Sequence, residues 1–201
     1  MNIIKDIDLV GLCYKTHENS FDELFHKYFE EVSQVQFSKS RYYYIYPFEN
    51  ELNGQKRGRL LKKKPSTLKN IYEYGFNHEK DLVYTIEHIS STIKKITIIE
   101  KDSEYITAFT YVGQSHRLQN VTRVFGNATT NISVVINWGI YGWRYDSFKY
   151  EDDLLVQIER VAHEHQSEKM TNSVFHLNYV DGQLDAIAQH FCNGYECKIY
   201  P

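Results

Sequence analysis

The stretch Phe175-His176-Leu177-Asn178-Tyr179-Val180-Asp181-Gly182-Gln183-Leu184-Asp185-Ala186-Ile187 decides the fold. Two alternating runs flank Asp181-Gly182, a pair suited to a type I′ turn because both central positions need positive φ. A two-residue turn sets the register and predicts that Tyr179 faces Leu184, Leu177 faces Ala186 and Phe175 faces Ala188. All six then lie on one face of the pleat, so turn chemistry and apolar pattern choose the same hairpin.

The pattern recurs upstream: an aromatic-x-aromatic pair, a polar turn, then Leu with Ile or Val three or four residues on. Phe148 and Tyr150 precede Glu151-Asp152-Asp153, after which Leu154, Val156 and Ile158 alternate with Leu155, Gln157 and Glu159. Phe109 and Tyr111 precede Gly113-Gln114-Ser115-His116, then Leu118 and Val121. Tyr72, Tyr74 and Phe76 precede Asn77-His78-Glu79-Lys80-Asp81, and Leu82, Tyr84 and Ile86 follow on alternate positions. Copies roughly 30 to 40 residues apart fall in the range of repeat architectures, although any antiparallel meander produces echoes of this kind.

Aromatics make up 15% of the 201 residues, with 17 Tyr against 3 Pro, a bias that suits strands. A formal net charge of −3 excludes a strong general attraction to nucleic acid or anionic membrane, so any such binding must come from a local patch. Cys13, Cys192 and Cys197 do not form a disulfide framework and read as reduced thiols of a cytoplasmic protein. The first fifteen residues carry Lys5, Asp6 and Asp8 and lack the apolar core of a signal peptide. Residues 132–143 are the most apolar run, too short to span a bilayer, and read as a buried strand and its turn. Asn127-Ala128-Thr129 and Asn131-Ile132-Ser133 match a glycosylation acceptor but, without a secretory signal, indicate only a polar loop.

Ser20-Phe21-Asp22-Glu23 has the form of a capping box, and Phe21, Leu24, Phe25, Tyr28, Phe29, Val32 and Val35 continue at helical spacing. This is the one strong helix signal. Tyr42 to Tyr46 reads as a strand, residues 47–65 as a polar and basic loop, and about ten strands follow. The fold class is therefore α+β and mostly β: an N-terminal amphipathic helix packed on a large, curled antiparallel meander of sequential hairpins. One domain spans residues 1–201, with a helix-containing part (1–65) and a hairpin sheet (66–201). A sheet of that size must bend, close or be covered.

The sequence lacks a phosphate-cradling glycine loop, a nucleophile elbow, a CxxC pair and an HExxH motif, so no catalytic residue and no cofactor is indicated. Cys192 and Cys197 flank Asn193-Gly194 in one hairpin and are assigned to packing. His163-Glu164-His165 is the best metal candidate, with His176 or His190 as a third ligand, yet one close pair is expected among 9 His and no metal is assigned. Lys56, Arg57, Arg59, Lys62, Lys63 and Lys64 form a cationic run suited to phosphates or an acidic surface, with Tyr42, Tyr43, Tyr44 and Tyr46 upstream to stack bases. A solvated loop explains the same run. Glu151, Asp152, Asp153, Asp181 and Asp185 cluster at hairpin tips; if the hairpins align, they make one negative edge with the basic loop at the other end.

Residues 179–187 resemble the tyrosine-containing YD repeats of bacterial Rhs-type toxin proteins, with a Tyr, a Gly-x-Leu-x-x-Ile ending and a hairpin. Tyr150 to Ile158 is similar without the Gly, and the Tyr-Asp pair itself stands only at Tyr145-Asp146. In size, aromatic-rich strands and lack of catalytic machinery the chain resembles bacterial immunity proteins encoded beside polymorphic or contact-dependent toxins. That resemblance implies a non-catalytic protein that occludes a cognate toxin in a tight complex. Trp143, Tyr145, Glu151, Asp152 and Asp153 are the expected partner contacts. A nucleic-acid-binding module built on residues 56–64 and a metal-dependent hydrolase built on the His163 region are the alternatives.

Overall fold

The computed structural model describes residues 3–127 and 130–201; Ala128 and Thr129 of the first glycosylation-like triplet lie outside them. Two helices, α1 (Ile3–His17) and α2 (Phe21–Glu30), precede β1 (Gln34–Lys39), a short 3-10 helix (Glu51–Asn53) and β2 (Arg59–Leu60). Eleven strands follow: β3 (Ile71–Phe76), β4 (Leu82–His88), β5 (Lys94–Lys101), β6 (Tyr105–Val112), β7 (Arg117–Asn127), β8 (Thr130–Gly139), β9 (Gly142–Glu151), β10 (Leu154–Glu164), β11 (Met170–Val180), β12 (Gln183–Phe191) and β13 (Glu196–Tyr200). They form one antiparallel sheet of 13 strands, in sequence order from β13 to β3 and then β1 and β2. Strands from both the 1–65 and 66–201 segments thus belong to the same sheet.

Four hairpins carry the same irregularity, and it corrects the register read from sequence. Tyr179 does face Leu184, with Asp181 at φ 50° and Gly182 at φ 74°, as a type I′ turn requires. Asp185 is then an extra residue on β12, so Leu177 faces Ile187 instead of Ala186, and Phe175 faces Gln189. Val156 is extra on β10, which pairs Tyr150 with Leu155 and Phe148 with Ile158 and breaks the expected alternation of Leu154, Val156 and Ile158. Gln119 is extra on β7, pairing Tyr111 with Leu118 and Phe109 with Val121. Val83 is extra on β4, pairing Phe76 with Leu82 and sending Tyr84 and Ile86 to the opposite face. The Leu-x-x-Ile spacing is incompatible with a regular two-residue period; a bulge after the second paired residue reconciles it. The gain is volume: buried Ile187 takes the place that Ala186 would have filled opposite Leu177.

The shared hairpin builds two cores. A meander advancing in one lateral direction presents the same hairpin with its turn at one end or the other, and reversing the end also reverses the face. The β6–β7 hairpin, turning at one end, sends Phe109, Tyr111, Leu118 and Val121 toward the helices. The β9–β10 and β11–β12 hairpins, turning at the other end, send Leu155, Ile158, Leu177 and Ile187 to the opposite side.

On the first face α1 buries Ile7, Val10, Gly11 and Tyr14 against β7 and β8, and the Tyr14 hydroxyl donates to the Leu118 carbonyl at 3.2 Å. The i, i+3, i+7 spacing of Ile7, Val10 and Tyr14 is a helical signal that the sequence reading passed over. Helix α2 packs on β4 and β5, where the Tyr28 hydroxyl donates to Glu100 at 2.7 Å. Its expected capping box does not form: Ser20 makes no side-chain cap bond. The helix also stops at Glu30, which leaves Val35 on β1, exposed, because residues 34–39 pair instead with β3.

The second face is covered by residues 41–58, a strap where a strand was expected at Tyr42 to Tyr46. The Tyr74 hydroxyl on β3 accepts from the Tyr42 backbone N–H at 2.7 Å, so the backbone is bonded to a side chain and not to a ladder. Tyr43 packs edge-on against Tyr74 and Phe76 of β3, and Phe48 against Tyr179 of β11. Five residues reach at most about 18 Å, whereas the eight strand spacings from β3 to β11 would cover about 38 Å on a flat sheet. The sheet is therefore curled around the strap.

A substitution pair tests the turn geometry. Gly182→Ala, where no atom lies within 4 Å of the added Cβ, should lower stability by about 1 kcal/mol through φ alone. Asp153→Gly, at the equivalent φ of 64°, should raise it by several tenths of a kcal/mol; denaturant midpoints of the two variants measure both.

Burial raises the pKa of twelve of the 17 tyrosines, Tyr179 to about 12. The folded state thus holds these protons more tightly than the unfolded chain, and their contribution is fully present below the ordinary tyrosine value near 10. It is lost as pH rises toward the folded values, so the urea midpoint should fall between about pH 10 and 12, with tyrosinate absorbance appearing together with unfolding.

Candidate functional site

Turns of a sequential meander alternate between the two ends of the sheet. The 77–81, 102–104, 152–153 and 181–182 turns share one end; the first two and the last two stand two strand spacings apart, about 10 Å where the sheet is locally flat, while 102–104 and 152–153 are four spacings apart, about 19 Å. This end carries Glu79, Asp81, Asp102, Glu104, Glu151, Asp152, Asp153 and Asp181. Lys101 pairs with Asp81 at 2.8 Å and Lys149 with Glu151 at 2.9 Å. Among the described residues the other six carboxylates have no cationic partner within ion-pair distance. Hydrogen bonds from the Ser103 hydroxyl and the Glu104 and Ser103 backbones hold the Asp102 carboxyl below its usual range.

At the same end a cavity of about 410 Å³ lies between the strap and the sheet. Ile45, Leu82, Ile99 and Ile106 make it apolar, Tyr44 and Tyr105 wall it, and Asp81, Lys101 and Asp102 form a charged rim. Its size falls in the range of binding pockets. Tyr44 is held by donating to Glu51 at 3.1 Å.

The predicted partner residues do not form one face. Trp143 and Tyr145 start β9, whereas Glu151 ends it, about 25 Å away along the strand. Tyr145 is 7% exposed in the core under the helices and cannot contact a partner. Trp143 is half-buried, stacked on His163 with ring centres 5.5 Å apart. Trp138 lies 5.1 Å from His165, and the two histidines meet at 5.7 Å. The His163-Glu164-His165 segment is therefore an aromatic cluster. His176 pairs with Gln157 while His163 pairs with Met170, which separates the two histidines by about 20 Å. His190 packs on His176 at 4.8 Å, so neither can complete a site with His163. No group of three metal-ligating side chains converges among the described residues. Cys192 is exposed at the β12–β13 turn and does not pack as expected; both it and Cys197 are free thiols.

The cationic run divides. Lys56, Arg57 and Arg59 join Lys39 around a cleft of about 620 Å³ at the end opposite the acidic turns. Lys62, Lys63 and Lys64 lie outside it, beside the open edge strand β2, where charge opposes edge-to-edge pairing. Arg57 lies 4.3 Å from the Tyr42 ring centre and 5.4 Å from that of Tyr44, so two of the upstream tyrosines do fold beside the run.

A Cys–His pair escaped the sequence reading because α1 was not recognised. Cys13 and His17 stand one helical turn apart, Sγ to Nδ1 3.7 Å, in a polar pocket with Lys27, Tyr28, Glu100 and Arg123. The same Nδ1 lies 2.9 Å from the Cys13 carbonyl, to which it can only donate. A nitrogen that carries that proton cannot accept the thiol proton, and burial pushes the Cys13 pKa up. This is not the arrangement of an activated nucleophile.

Beneath the strap lies a charged network. Asp146, with 0% exposure, receives two hydrogen bonds from Arg160 at 2.7 and 3.0 Å and an ion pair from Arg144 at 3.0 Å. Arg144 also donates to the Tyr46 hydroxyl at 3.1 Å. Burial opposes its charge, yet Tyr46 and Asp146 hold its pKa above the usual range. The network ties the strap to β9 and β10.

In comparisons with known proteins, no family model, curated protein or solved structure matches the chain.

Removing Asp146 leaves two guanidinium groups without their counter-charge. Asp146→Ala should cost roughly 3–5 kcal/mol, against less than about 1 kcal/mol for Glu151→Ala at the exposed Lys149 pair. Equal denaturation midpoints for the two variants would contradict the network's role.

Proposed function

We propose that this chain is a non-catalytic binding protein that neutralises a cognate bacterial toxin by occlusion, acting in the cytoplasm of the cell it protects. The observation that carries the reading is the acidic end of the sheet with an apolar cavity set into it. Unpaired carboxylates steer a cationic partner surface and orient its approach. The cavity then receives an apolar or aromatic anchor, and desolvation there supplies most of the affinity. Such a surface fits a toxin whose working face is basic, as the face of an enzyme acting on a phosphate backbone must be. The resemblance to immunity proteins supports the same assignment. In this arrangement Asp152 and Asp153 keep the role expected for them, joined by Asp102 and Asp181, while Trp143 and Tyr145 act in packing.

The test is functional. The tagged chain should capture from its own host a protein that is toxic when produced alone and harmless when the two are co-expressed. Replacing Asp102, Asp152 and Asp181 together by Lys should abolish protection while circular dichroism stays that of the folded parent chain. A triple variant that still protects fully would exclude this end as the docking surface.

A further inference from the structure

The opposite end carries a second site. Lys39 from β1, Arg59 from β2, and Lys56 and Arg57 from the returning strap surround the 620 Å³ cleft, and all four are exposed. Among the described residues none of them has a carboxylate within ion-pair distance. Lys27, Arg41, Lys101, Arg144, Lys149 and Arg160 do have one. Four like charges around one concavity repel each other unless an anion enters it.

The frame holding these charges is rigid. The Gly58 N–H donates to the Arg41 carbonyl at 2.7 Å, and the Asn50 side chain donates to the same oxygen at 2.9 Å. A Cβ on Gly58 would stand 2.2 Å from the Ser40 carbonyl oxygen, so the two walls touch at backbone level. Arg57 is oriented by donating Nε–H to the Tyr42 carbonyl at 3.1 Å and by lying over the Tyr42 ring. Its planar cation is ordered before any ligand arrives, which limits the entropy lost on binding. The one carboxylate in the lining, Glu87, is engaged with Tyr72, whose pKa is raised by burial and by that carboxylate.

We propose that this cleft binds the phosphate groups of single-stranded nucleic acid, with Lys39, Lys56 and Arg59 neutralising the backbone and the Tyr42-backed guanidinium of Arg57 meeting a base. Ordered guanidinium and tyrosine planes suit an unstacked base, which a duplex does not offer. Lys62, Lys63 and Lys64 extend the positive track along β2. The site is independent of toxin docking, which uses the other end of the sheet.

Fluorescence anisotropy with labelled oligo-dT and oligo-U of roughly 12 nucleotides tests this. With about three phosphates neutralised, affinity should fall about 20-fold between 50 and 200 mM salt. Lys56→Glu with Arg59→Glu should weaken binding at least tenfold at the lower salt, and Arg57→Lys, which keeps the charge and loses the plane, should weaken it less. Lys63→Glu should have the smallest effect. Unchanged circular dichroism establishes that the variants fold. The proposal is overturned by no binding at the lower salt, by binding indifferent to the cleft variants, or by equal affinity for polyglutamate, which would indicate an acidic protein ligand. Full competition by pyrophosphate, with no dependence on strand length, would overturn it in favour of a free-nucleotide site.

Discussion

The structure depends on one local constraint, the bulge placed close to the turn on the second strand of four hairpins. A strand without it would point Leu184 and Ile187, or Leu155 and Ile158, to opposite faces. With it, the two apolar residues meet the two residues of the partner strand on one side, and the β6–β7, β9–β10 and β11–β12 hairpins each deliver a four-residue apolar patch. A bulge also increases local twist and bends its strand, so repetition of the device bends the sheet as it grows. Thirteen strands in one open layer are tolerable because that curl lets both faces be covered.

Curling in turn creates the need for the strap. Residues 41–58 fill the concave side with Tyr46, Phe48 and Leu52. An irregular segment in that place must bond its backbone to side chains. The Tyr74 hydroxyl, the Asn50 amide and the Arg57 guanidinium provide those bonds. The buried Asp146 network belongs to the same problem. Two arginines and a carboxylate under the strap are costly to desolvate, and their geometry specifies where Tyr46 sits.

The charge separation follows from topology as well. Turn residues are polar by necessity, and a sequential meander sorts alternate turns to opposite ends. Acidic residues fall at the 77–81, 102–104, 152–153 and 181–182 turns, all at one end. The strap returns to β2 at the other end and carries its cations there. The sheet thus gathers the Asp102, Asp152, Asp153 and Asp181 carboxylates at one end and the Lys39, Lys56, Arg57 and Arg59 cations at the other.

By itself the sequence determined the local elements: the Asp181-Gly182 turn, the amphipathic start of α2 and the recurrence of the hairpin. Each rests on neighbours a few residues apart, where turn chemistry and periodicity act directly. The candidate site was legible only in parts, as an acidic turn at Asp152-Asp153 and a basic run at Lys56. Tertiary structure decided the rest. The bulges were hidden because a three-residue spacing reads equally as noise in a two-residue period. The strap was hidden because Tyr42 to Tyr46 has strand propensity, yet the Tyr42 backbone N–H donates to the side chain of Tyr74 and the Tyr46 hydroxyl accepts from Arg144, both more than thirty residues away. Tyr145 and Trp143 read as contact residues until the helices and His163 were seen to cover them. Which face a side chain occupies, and which charges share an end, depends on strand order and pairing, and no local pattern encodes either.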